Sequence, residues 1–451
     1  MQACAPLADH AADKARIIEA LEEARARTRL LIDPVDDVAL RQPPLYILSP
    51  QVWDLGHIAN FEELWLVQHV TGCTESEAGV NDRYDAAKIP RRERPDLDLL
   101  DKQGVYAYQD DVRRQALAAL EAVDLQGDDP LLADGFLYWM LVLHEHQHNE
   151  TLLQGLQARG PGRYRPAAVR PLPVPGRCLS IRELDDAWVT VPTGAFQMGT
   201  PQRPGVYDNE APAHAVHVPR FEMARFPVTC GQYLRFLEDG GYEDPQWWDE
   251  AGRAWLEATL HHAPRNWQWD ARGRLLRVAL TGRTPILSVP DEIVTHVTHH
   301  EAKAYAAWAG CRLPREEEWE KACRWDPKTG ENVGRNPWGD APATTDQANV
   351  DQLGFQASRA GAYGAAGRSP AGIEHLIGDV WEWTATNFDG YPGFQPFPYK
   401  EYSEVFFDQA YPVLRGGSWA TRPSCATGTF RNWDLGERRQ IFSGIRLVRD
   451  S

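Results

Sequence analysis

Cysteine is scarce in this chain, and no two of its seven cysteines form a CxxC pair. Cys4, Cys73, Cys178, Cys230, Cys311, Cys323 and Cys425 are odd in number and scattered, so they read as reduced, mostly structural thiols rather than a disulfide frame or zinc knot. Positive charge is also short, with 47 Lys and Arg against 64 Asp and Glu and a formal net charge of −17. The only basic cluster is Pro90-Arg91-Arg92-Glu93-Arg94-Pro95. That balance argues against nucleic acid or an anionic membrane as partner and favours a small-molecule substrate. No apolar run approaches the roughly 20 residues that span a bilayer. The amino terminus, with Asp9, His10 and Asp13, lacks a signal-peptide pattern, so cytoplasmic residence is expected. Internal repeats and low-complexity segments are missing too.

What is present is enough apolar material for two cores. At 451 residues the chain exceeds one ordinary core, and 43% hydrophobic residues with 10% aromatics can fill the interiors. Helical periodicity marks four segments, 17–31, 50–70, 110–123 and 130–156, which predict an antiparallel four-helix bundle. The proline-rich stretch 166–176 cannot continue a helix and reads as a semi-rigid linker. Beyond it come short strand-like runs, many Gly, Pro and Trp residues and long loops. The expected organisation is α+β, with a bundle over 11–160, a linker over 161–186 and a loop-rich domain over 187–451.

Chemistry enters with Leu143-His144-Glu145-His146-Gln147-His148-Asn149-Glu150. Positions i and i+4 of a helix stack on one face at roughly 6 Å, so His144 and His148 can reach one metal ion while His146 points away. The most suggestive third ligand is His57, in the buried-looking helical run Trp53-Asp54-Leu55-Gly56-His57. Residues 144–148 also spell HExxH, the zinc-protease signature in which the glutamate is a general base. The metzincin extension would require Gly at 151 and His at 154, where the chain has Thr151 and Gln154. Three imidazoles without a carboxylate suit zinc, copper or iron, and the spacing does not choose among them. A non-catalytic ligand-binding protein is the alternative from a different class.

The second half carries ordered blocks: 191–199 (Val-Pro-Thr-Gly-Ala-Phe-Gln-Met-Gly), 312–322 (Arg-Leu-Pro-Arg-Glu-Glu-Glu-Trp-Glu-Lys-Ala), Gly378-Asp379-Val380-Trp381-Glu382-Trp383-Thr384, Arg415-Gly416-Gly417-Ser418-Trp419 and Gly444-Ile445-Arg446. They resemble the formylglycine-generating-enzyme domain, with its C-type-lectin-like core, over 188–450. Formylglycine generation relies on a cysteine pair just after the Arg-Gly-Gly-Ser block; only Cys425 lies there, so that activity is not expected. Joined to a DinB-like four-helix bundle bearing three histidines, the whole chain resembles the sulfoxide synthases of ergothioneine biosynthesis and the related selenoneine synthases.

This resemblance implies iron(II) held by His57, His144 and His148. It implies hercynine as substrate, a thiol or a selenosugar as cosubstrate, and dioxygen as the oxidant that drives the new carbon–sulfur or carbon–selenium bond. Arg91 and Arg94 match the pair that holds the thiol's carboxylates, a task suited to the planar guanidinium fork. Gln147 matches a hydrogen-bond partner of the substrate imidazole. Asn432 matches a hercynine contact, while Asp434 and Arg438 match cosubstrate contacts. Tyr399 matches the proton-donating tyrosine, with Tyr402 as the alternative in a shortened loop. Trp433 and Trp419 are candidates for aromatic contact with the trimethylammonium head.

Overall fold

The computed structural model describes residues 10–76 and 79–450. The chain forms two compact units. One runs to Gly155 and includes Arg203–Gly205; the other takes in Leu156–Gln202 and the chain from Val206 onward. The fold is α+β, as the patterning predicts.

Four long helices span His10–Ile32, Gln51–Glu62, Lys102–Ala122 and Phe136–Ala158, and all but the end of the last, beyond Gly155, belong to the first unit. The second continues through a π-helical turn, Glu63–Gln68, and a last turn, His69–Thr71, before Gly72 stops it at a φ of 72°. The third starts earlier than the expected 110 because the Asp101 carboxylate caps it, accepting from the Gly104 amide at 2.7 Å. The fourth starts later than the expected 130, because Asp134 (φ 51°) and Gly135 (φ 75°) are left-handed and cannot join a helix. A Cβ on Gly135 would lie 2.5 Å from Ile17 Cδ1, so close helix approach also demands glycine there. Leu21, Val52, Leu55, Ile58, Val112, Leu141 and Leu153 are buried among these helices. Each such aliphatic side chain contributes roughly 1.5–3 kcal/mol when fully removed from water.

In the second unit, Trp188–Val191 and Val448–Asp450 both pair antiparallel with Phe221–Ala224, which ties its early and late chain segments together. A four-stranded sheet orders Arg431–Trp433, Pro412–Arg415, Trp381–Asn387 and Ser443–Gly444, the last pair parallel. The recurring sequence blocks meet in a buried ion network. Arg415 bonds Glu316 and Glu320, each at 2.7 Å, and Arg431 bonds Glu316 at 2.7 Å. Arg446 bonds Glu382 at 2.7 Å, and Trp319 donates to the same carboxylate at 2.7 Å. Gly416 has a φ of 95°, and a Cβ there would lie 2.4 Å from the Leu376 carbonyl oxygen. These blocks therefore hold the domain together. Within the proline-rich stretch, the Arg170 amide donates to the Leu353 carbonyl at 2.8 Å, and Leu172 packs where a side chain on residue 354 would stand.

Candidate functional site

The helix Gln51–Glu62 and the helix Phe136–Ala158 bring three imidazoles into one cluster. Ring centroids of His57 lie 5.1 Å from those of both His144 and His148, which are 4.6 Å apart. One ligand atom from each lies within 4.8 Å of the other two. Among the described residues this is the only such group of three or more metal-ligating side chains.

The electrostatics favour ligation. Burial pushes the His57 pKa well below its usual value; His148 adds to that, outweighing the hydrogen bond to the Tyr84 carbonyl. Burial, then His148 and His57, does the same for His144. Both imidazoles are therefore neutral at neutral pH, with a nitrogen lone pair available to a metal. His57 Nδ1–H donates to the Tyr84 carbonyl oxygen at 2.8 Å, which fixes the tautomer and leaves Nε2 as the acceptor. Nδ1 of His144 and Nδ1 of His148 are buried without a hydrogen-bond partner, although Asp54 Oδ1 is 3.6 Å from the latter. Buried polar atoms left open in this way fit a bound cation. The donor set suits a borderline transition metal, and no carboxylate completes a zinc-hydrolase triad.

Glu145, the residue that a protease would use as base, faces elsewhere. It accepts from Arg25 Nε at 2.9 Å and from Thr28 Oγ1 at 2.7 Å, while Glu62 accepts from Arg25 at 2.7 Å and from Arg113 at 2.6 Å. Burial opposes ionisation of Glu145, but Arg25 and Arg113 outweigh that and hold the Glu145 carboxyl below the usual range. His146 is buried on that side too, its Nε2 3.6 Å from Glu23 Oε2.

Sequence reasoning did not find the groups that orient the histidines. Trp53 stacks on His57 at 4.9 Å, and Phe61 lies over His144 at 4.1 Å. Trp53, His57 and Phe61 recur at i, i+4 and i+8, and that stripe was the available signal. Gly56 is required because a Cβ there would lie 2.2 Å from the Tyr84 ring, whose carbonyl holds His57.

The other predicted residues occupy varied settings. Arg94 is buried, with its guanidinium 3.5 Å from the Trp53 ring centre. It donates to the Ile89 carbonyl at 3.3 Å and to Ser49 at 2.9 Å. Burial pushes its pKa down to about 10, more than nearby Asp54 restores. Arg91 is exposed and donates to the Ile47 carbonyl at 3.1 Å. Gln147 is half-buried on the helix that carries His144 and His148.

In the second unit, Asn432 and Trp433 lie on the strand Arg431–Trp433, opposite Leu414 and Val413. Trp433 stacks on Phe388 at 3.8 Å with an interplanar angle of 8°, and Tyr402 meets it edge-on at 5.8 Å. Asp434 and Arg438 are 3.3 Å apart as an ion pair. Tyr399 is 6.3 Å from Tyr402, which itself stacks on Tyr207 at 4.1 Å. Burial, then Asp208 and Glu401, pushes the Tyr399 phenol pKa up. Trp419 is buried against Phe442 at 4.3 Å.

Comparison with known proteins agrees with this two-part architecture. Residues 20–152 match the DinB superfamily, and residues 180–451 match the sulfatase-modifying factor enzyme 1-like domain. The hercynine oxygenase of Mycolicibacterium thermoresistibile is 44% identical over 446 residues, covering 97% of this chain and 95% of that protein. Those of Mycobacterium tuberculosis (42% over 436 residues; 95% of this chain, 97% of that protein) and Mycolicibacterium smegmatis (42% over 445 residues; 96% and 98%) are similar at the same level. With a helical DinB unit, a sulfatase-modifying-factor-like unit and full-length similarity of this degree, the chain belongs to the hercynine oxygenase family.

Proposed function

We propose that this protein is a non-haem iron(II), dioxygen-dependent enzyme that joins the sulfur of a thiol to the imidazole C2 of hercynine. The observation that carries this reading is the convergence of three imidazoles, with no carboxylate among them, in a chain whose full-length relatives are named hercynine oxygenases. Hercynine C2–H, a thiol S–H and dioxygen would give the carbon–sulfur sulfoxide and one water. The C–H and S–H bonds break and the C–S bond forms; one oxygen atom stays on sulfur, and the other leaves with both protons. Iron(II), when bound, supplies the electron transfer that dioxygen needs to react with closed-shell partners.

His57, His144 and His148 would hold the metal, with His57 aimed by the Tyr84 carbonyl. Gln147 is the proposed partner of the substrate imidazole. Asn432 is proposed to bind hercynine, and Trp433 its trimethylammonium head, where a cation–π contact contributes on the order of 1 kcal/mol. Arg91 and Arg94, with Asp434 and Arg438, are proposed for the thiol cosubstrate. Arg94 uses three of its five N–H donors within the bundle, so Arg91 is the freer of the two for a carboxylate. Tyr399 is proposed as proton donor. Its raised pKa keeps the phenol protonated until a strong base develops beside it. The engagement of Glu145 with Arg25 and Thr28 speaks against a zinc hydrolase.

The test is aerobic incubation of iron-reconstituted protein with hercynine and a panel of thiols and selenosugars, read by mass spectrometry. A hercynine–thiol sulfoxide that requires both iron and dioxygen is expected. Turnover with selenosugars alone would reassign the reaction to carbon–selenium bond formation, and no consumption of hercynine would overturn the reading. Tyr399→Phe should keep hercynine binding and slow or redirect product formation by roughly 10² to 10⁴ in rate. The same phenotype in Tyr402→Phe, with Tyr399→Phe unaffected, would move the role to Tyr402.

A further inference from the structure

The second unit contains a cavity of about 440 Å³ whose lining includes Arg265, Arg439, His261, His262 and His296 but no aspartate or glutamate. In a chain with 64 acidic residues and a net charge of −17, an acid-free wall with two arginines and three histidines is a marked exception. The Arg265 guanidinium is half-buried and makes no ion pair or side-chain hydrogen bond among the described residues. Its charge is instead opposed by Arg439, and burial together with that repulsion lowers its pKa. Arg439 is buried; its Nη2 donates to the Ala263 carbonyl and pairs at 3.4 Å with Glu301, which does not line the cavity, while its Nε has no hydrogen-bond partner. Trp267 Nε1, also in the lining, is a buried donor without a partner. His296 holds the wall together in a left-handed conformation (φ 63°), with Nδ1 3.1 Å from the Arg439 carbonyl and its own carbonyl accepting from the Arg265 amide at 3.3 Å.

A partly desolvated guanidinium with no ion pair, repelled by a second one on an acid-free wall, is costly unless an anion completes it. We propose that this cavity is a binding site for a small molecule carrying a phosphate, carboxylate or similar oxyanion, held in the guanidinium fork of Arg265 with Arg439 beside it. Its residues include none of those assigned above to iron, hercynine or thiol. Burial, then Arg439 and Arg265, pushes the His261 pKa down to about 4, so this imidazole adds no positive charge to the wall at neutral pH.

The experiment is isothermal titration calorimetry of the metal-free, full-length protein at low ionic strength, with inorganic phosphate in one arm and acetate in the other. Because neither hercynine nor iron is present, the result is independent of the proposed oxygenase reaction. Saturable binding at one site per chain is expected, weakened at least about tenfold by Arg265→Gln, which removes the charged fork. Arg182→Gln, the same charge change on the exposed Arg182, should leave the affinity within about twofold. The tighter arm identifies the group, phosphoryl or carboxylate. Since Arg265 and Arg439 repel, Arg265→Gln should melt no lower than the parent protein, which separates lost binding from lost folding. Absence of saturable binding in both arms would overturn the proposal, as would equal affinity in Arg265→Gln and the parent protein.

Discussion

One helix, Phe136–Ala158, buries polar groups on two sides with opposite outcomes. Glu145 and Asn149 point into a closed network in which Arg25, Thr28, Arg113 and Glu62 supply partners at 2.6–2.9 Å. His144 and His148 point into a cluster where Nδ1 of each has no hydrogen bond. Both sides are desolvated, but both Glu145 oxygens find donors while Nδ1 of His144 and of His148 find none. The difference separates polar residues that are engaged within the fold from imidazoles that could hold a metal ion. It also reassigns the HExxH lettering, since its glutamate belongs to the closed side and its outer histidines to the open one.

The closed side should give the largest effect on stability. Glu145→Ala leaves the buried Arg25 with one carboxylate partner fewer and should cost about 3–5 kcal/mol in chemical denaturation, as removal of one member of a buried ion pair usually does. A loss under about 1 kcal/mol would break the contrast, because the network would then not be structural. Gly56→Ala should have an intermediate effect. Its methyl group would displace the Tyr84 ring and with it the carbonyl that fixes His57, so about 1–3 kcal/mol of overpacking strain is expected. Iron affinity should fall by roughly ten- to a hundredfold, the usual range for loss of a group that orients a ligand. Unchanged iron affinity in a folded Gly56→Ala protein would show that the Tyr84 contact does not aim His57. The smallest effect on the metal belongs to His146→Ala, which lies one residue from Glu145 on the closed side. It should retain iron and turnover within about twofold while losing some stability.

Legibility in the sequence followed the same division. The bundle could be read because apolar positions repeat with helical period, and His144 and His148 could be paired because i and i+4 share a face. The helix starts at Lys102 and Phe136 were misplaced because they depend on the Asp101 cap and on the left-handed backbone of Asp134 and Gly135. Backbone contributions are silent in a string of letters. The Tyr84 carbonyl, 27 residues from His57, leaves no side-chain signature. Nor did spacing announce that Arg94 is packed on Trp53, or that Arg265 and Arg439 share a cavity. The ordered blocks of the second unit were visible because Glu316, Glu320 and Glu382 need Arg415, Arg431 and Arg446 for their buried charges to balance.

Anaerobic iron(II) titration of metal-free protein shows whether the histidine side of this helix is a metal site. One iron per chain is expected for the parent protein and for His146→Ala. At least about a hundredfold weaker binding is expected for each of His57→Ala, His144→Ala and His148→Ala, in proteins that remain folded without metal. Equal loss of iron from His146→Ala and His144→Ala, or no iron bound by the parent protein, would rule out a metal site held by these three histidines.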